Sequence, residues 1–74
     1  MISEYDVVKT KFDLTDEIKK NTTGTVLSVY DNGSFFLVEF FDKNHEIIGN
    51  GMTLVKLNEI ELIYIYPNPD SEDS

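Results

Sequence analysis

The sequence predicts an all-β fold: one small antiparallel barrel of five short strands. Three observations carry that prediction. Five runs are rich in β-branched and aromatic residues. Turn chemistry separates them, most clearly at Asp31-Asn32-Gly33 and at Asp42-Lys43-Asn44-His45. Glycines at 24, 49 and 51 fall inside the runs, where a small closed sheet has to bend.

The elements follow in chain order. Residues 5–9, "YDVVK", form the first strand, with Val7 and Val8 favouring extended backbone. The mixed, polar "FDLTDEIKKNTTG" is a long loop with at most one helical turn over 15–20, pinned to the core by Ile18. Residues 22–30, "TTGTVLSVY", form the second strand, and Gly24 marks a bulge or a close approach of backbones. The turn at 31–33 returns the chain as a third strand over 34–41. After the second turn, "EIIGNGMT" at 46–53 is read as a fourth strand weakened by its glycines. One 3₁₀ turn is expected within 56–60, and "ELIYIY" at 61–66 is the last strand, stopped by Pro67 and Pro69. The barrel therefore occupies 1–66, and 67–74 is an acidic tail expected to be disordered.

A chain of 74 residues makes one domain at most. Such a domain buries only about 60% of its unfolded surface, so each large apolar side chain matters. The 41% hydrophobic content suits a globular protein. The absence of cysteine excludes disulfides and thiolate metal sites. The opening "MISEYD" has no signal-peptide pattern and no run is long enough to span a membrane. A soluble cytoplasmic protein is expected.

Fourteen acids oppose six lysines, with no arginine, for a net charge of −8. Setting aside Asp70, Glu72 and Asp73 of the tail leaves −5. Such a surface repels nucleic acid unless the lysines cluster. Two readings of the charge stand open: it favours a basic protein partner, or it serves only to keep a small protein soluble.

Three stretches carry a resemblance. "YDVV", then "IKKNTTGTVLSVYDNGSFFLVEFFDKNHE", then "LVKLNEIEL" are similar to a family of small bacterial SH3-like, KOW-like barrels. Its pattern is a D-V-V strand, an "L-K-x-G-D-x-G-T-V-V" segment, and a V-E-F strand followed by a D-x-x-G turn. Gly24-Thr25-Val26 and Val38-Glu39-Phe40 match most tellingly, and the similarity spans residues 5–63. Some members are encoded beside polymorphic toxins, so the resemblance implies an immunity role. Asn21 and His45 stand where the family has glycine. Asn tolerates left-handed backbone, which keeps the first turn intact. At the second turn Asn44 is expected to take that conformation.

No catalytic constellation is apparent. The lone His45 lies in a turn, and no serine sits in a nucleophile elbow. Asp42 with Glu46, and Glu59 with Glu61, read as a solvated acidic rim rather than an acid–base pair. "DKNHE" lacks the spacing of a calcium loop and has too few convergent ligands for zinc. A non-enzyme without metal or cofactor is expected. Phe35, Phe41, Tyr64 and Tyr66 could stack on RNA bases, but Lys9 with Lys11 and Lys19 with Lys20 are the only lysine pairs.

The third strand is apolar on both faces. Phe36, Val38 and Phe40, in phase with Val26, fill the interior. Phe35, Leu37 and Phe41 point outward, with Leu27 and Val29 for company. Two readings stand open: the 11–21 loop or the last strand covers this face, or it is a partner site. The second reading gives the expected function: an acidic protein-binding module, an immunity or antitoxin-type inhibitor of a basic, nuclease-like toxin. Its partner-binding residues would be Phe35, Leu37, Glu39, Phe41, Asp42, Glu46, Glu59 and Glu61. The alternative is an RNA- or ribosome-associated KOW-like barrel. A monomer or weak homodimer is expected.

Overall fold

The computed structural model describes residues 1–49 and 51–64. Five antiparallel strands form one sheet: β1 Val7–Thr10, β2 Thr23–Tyr30, β3 Phe35–Phe41, β4 Thr53–Lys56 and β5 Ile60–Tyr64. Their order is β4-β3-β2-β1-β5. A 3₁₀ turn, Leu57–Glu59, joins the two outermost strands and brings the sheet round into a small barrel. The described residues contain no α-helix.

The β2–β3 hairpin rests on its turn. Asp31, Asn32 and Gly33 all have left-handed backbone, with φ of 54°, 58° and 92°. Asp, Asn and Gly are the residues that accept that region most readily. The amide of Ser34 donates to the carbonyls of Tyr30 and Asp31, and Tyr30 then pairs with Phe35.

Strand alternation builds the core. Val8, Val26, Phe36, Val38, Phe40, Val55 and Ile60 are buried, and Ile18 joins them from the 11–22 loop. That loop is held by backbone bonds at its ends, such as the Asn21 amide to the Thr10 carbonyl at 2.9 Å, and by side chains. The Thr10 hydroxyl donates to the Lys19 carbonyl at 2.6 Å and accepts from the Thr22 amide at 3.0 Å. Thr15 Oγ1 accepts from the Ile18 amide at 2.9 Å, which fixes the turn that delivers Ile18. Thr10→Val keeps the volume and removes both bonds. It is expected to lower stability by roughly 1–2 kcal/mol in urea unfolding, with the loss of amide protection concentrated in 18–22.

The strand boundaries differ from expectation, β2 and β3 only by starting one residue later. The fourth strand is Thr53–Lys56 rather than 46–53. Gly49 and Gly51 have φ of 67° and 103°, which breaks an extended ladder at that point. The segment before β4 is instead a loop, tethered by the Ile48 amide to the Phe40 carbonyl and by an isolated bridge between Ile47 and Phe41. The first strand begins at Val7, because Tyr5 has φ of 71°, although the Tyr5 amide still donates to the Val26 carbonyl. The last strand begins one residue early, at Ile60. Residues 65–66 of the expected last strand and the expected tail 67–74 lie outside the described residues. Asn21 is left-handed as expected, with φ of 70°. In the second turn His45, with φ of 66°, takes the left-handed position itself rather than passing it to Asn44.

Candidate docking face

Register assigns the outward side chains to rows across the sheet. One row is Tyr30, Phe35 and Lys56; the next is Leu37 and Leu54. Beyond them Glu39 stands opposite Thr25, which in turn faces Val7. The last row is Glu61, Lys9, Thr23, Phe41 and Ile47. The polarity of the outer surface therefore changes along β3, from apolar at Phe35 and Leu37 to acidic at Glu39.

A bulge decides which residues share the apolar rows. The pairing steps from Val26↔Val38 to Ser28↔Leu37, so Leu27 and Ser28 together oppose Leu37. The extra residue inverts the phase of β2 for its last turnward residues. Val29 falls opposite the inward Phe36, and Tyr30 opposite the outward Phe35. The expected companions of the outer face are therefore corrected: neither Leu27 nor Val29 joins Phe35 and Leu37, although Val29 remains 38% exposed, and Tyr30 enters instead. A slip of one residue moves every later side chain to the other face.

Tyr30, Phe35, Leu37 and Leu54 line an open groove of about 460 Å³. Phe35 and Leu37 are half-buried, while Tyr30 is 47% and Leu54 59% exposed. The 11–21 loop contributes nothing to this groove. It reaches Phe41 instead. There Glu17, Asn21, Thr22, Thr23, Asp42, Lys43 and Ile48 line a separate, more polar cleft with Phe41 of about 420 Å³.

The expected site residues consequently fall into different places. Phe35, Leu37 and Glu39 lie consecutively on the outer face of β3. Phe41 belongs to the second cleft. Asp42 does structural work: its Oδ1 accepts from the amides of Asn44 at 2.8 Å and Glu46 at 3.0 Å. Asp42→Ala is expected to cost about 1 kcal/mol by loosening this turn, with Asp42→Asn recovering most of it; thermal melts read the difference. Glu46 is exposed on the same turn. Glu59 Oε1 accepts from the Lys56 amide at 2.8 Å and so caps the 3₁₀ turn. Glu61 lies on β5, at the far side of β1 from the groove.

Two groove residues, Tyr30 and Leu54, were absent from the expected set. Leu54 was legible in principle, since "TLVK" is an apolar β-branched run. The glycine-rich segment before it drew the strand too early. Tyr30 depended on the bulge, which no residue type in β2 announces. Among the described residues no cluster of three or more His, Asp or Glu side chains is placed to hold a metal, and no helix is long and apolar enough to cross a membrane. Comparison with family models, with curated proteins and with solved structures returns no match.

Proposed function

We propose that the chain is a non-catalytic protein-binding module that docks a basic protein partner through the outer face of β2, β3 and β4. One observation carries this reading. The inner faces of these strands already supply the core, yet Tyr30, Phe35, Leu37 and Leu54 leave an open apolar groove outside it. An apolar groove that no other described residue covers, on so small a domain, marks a partner site. Aromatic anchors with a charged rim are the usual anatomy of such sites. The net charge of −8 favours encounter with a basic surface, and Glu39 stands beside the apolar rows to meet it.

Within this reading, the partner is a basic toxin of nuclease type and the module is its immunity or antitoxin-type inhibitor. The resemblance of Gly24-Thr25-Val26 and Val38-Glu39-Phe40 to the barrel pattern described from the sequence, some of whose members are encoded beside toxins, motivates that step. Co-expression with the product of the adjacent gene tests it: a complex on a sizing column and protection of cells are expected. Absence of both would refute the inhibitor reading. Glu39→Lys is expected to slow association by about 5–10-fold at low ionic strength and far less at high salt, as read by stopped-flow mixing. Asp42 is left intact in this test, because its carboxylate holds the turn.

A further inference from the structure

The apolar groove does not end at Phe35. The same side chain lines a second groove of about 450 Å³ at the β4–β5 corner, with Lys11, Ser34, Lys56, Leu57, Asn58 and Ile60. Two of the chain's six lysines thus line one depression in a strongly acidic protein. Lys56 also faces Phe35 across the β3–β4 ladder, so its backbone sits in the apolar row. No ion pair joins either ammonium to a carboxylate among the described residues. The nearby Glu59 carboxylate is held on the Lys56 amide.

From this juxtaposition we infer that the two grooves form one continuous docking channel for a protein segment carrying a carboxylate beside two large apolar side chains. The carboxylate sits between Lys11 and Lys56, with Ser34 and Asn58 as further hydrogen-bond donors. The apolar side chains cover Phe35, Tyr30, Leu37 and Leu54. Glu39, about 13 Å along β3 from Phe35, faces the basic end of the same segment. The outer face therefore has a direction, and it fixes the orientation of the bound segment. Two ammoniums neutralise a single carboxylate. They do not match the repeated phosphates of a nucleic acid, which the net charge of −8 repels.

This inference deepens the docking reading above and is tested without the partner. The probes are a peptide with the core Asp-Leu-Phe, its Asn-Leu-Phe counterpart, and an eight-residue uridine RNA. Each is titrated into the ¹⁵N-labelled full chain. The Asp peptide is expected to shift the amides of Phe35, Lys56, Leu57 and Tyr30, and to bind at least 5-fold more tightly than the Asn peptide. Lys11→Gln with Lys56→Gln should remove that preference while leaving the spectrum dispersed, since both lysines are exposed. Equal binding of the two peptides, a preference that survives the lysine changes, or tighter binding of the RNA would overturn the inference. Success here alongside failure with the adjacent gene product would refute only the inhibitor reading. Failure here alongside a stable protein complex would refute only the channel.

Discussion

Phe40→Ala is expected to leave most of the protein unfolded at 25 °C. Phe40 is 1% exposed and sits in the core beside Phe36, Val38 and Gly24. Truncating a buried phenylalanine costs about 3–5 kcal/mol, from lost transfer energy and the cavity left behind. A core in a domain this small supplies about 3–5 kcal/mol in total. The variant should therefore lose amide dispersion and show no cooperative urea transition. Leu54→Ala on the outer face removes a comparable apolar side chain, yet should cost less than about 1 kcal/mol, because 59% of Leu54 is already exposed. The contrast tests the assignment of faces. Similar losses at both positions would mean that the outer groove belongs to the core.

Gly24→Ala is the second large effect. Gly24 is buried on β2, paired with Phe40. A Cβ built there lies 2.6 Å from Val38 Cγ1, 2.7 Å from Phe40 Cδ1 and 2.9 Å from the Glu39 carbonyl oxygen. Two of these neighbours are buried core side chains, and the third is backbone. Overpacking of this kind typically costs about 1–3 kcal/mol and sometimes more. The upper end is expected here, because all three contacts must yield together. Adding Val38→Ala relieves one of them. The double variant should then be less destabilised than the sum of the two singles, a coupling that chemical denaturation of all four proteins reads directly. Simple additivity would show that the glycine is not serving close approach.

The same residues show how far sequence reasoning reaches. Gly24 was legible as a point of close approach because no turn chemistry explains a glycine inside a Thr- and Val-rich run. Phase with Val26 made Phe36, Val38 and Phe40 legible as core, and burial alternates along β3 without interruption. Ile18 was legible as the one β-branched apolar residue in a mostly polar loop. The bulge at Leu27 was not legible, since Leu27, Ser28 and Val29 carry no glycine or other local mark of an extra residue. Its consequence is non-local: it exchanges Val29 for Tyr30 on the docking face. The fourth strand was displaced because β-branched isoleucines at 47 and 48 outweighed two glycines whose positive φ only the fold reveals. Of the expected acids, Asp42 and Glu59 turned out to be committed to backbone amides. Carboxylates that cap turns and carboxylates that meet partners look alike in sequence, because both are exposed and both neighbour turn residues.

The docking face is tested most directly by measuring stability and partner affinity on the same variant, Leu54→Glu. An unfolding midpoint close to that of the parent chain is expected, together with a loss of at least 10-fold in affinity for the product of the adjacent gene. A Leu54→Glu chain that binds as tightly as the parent, or one whose unfolding midpoint falls as far as that of a core variant, would contradict a docking role for this face.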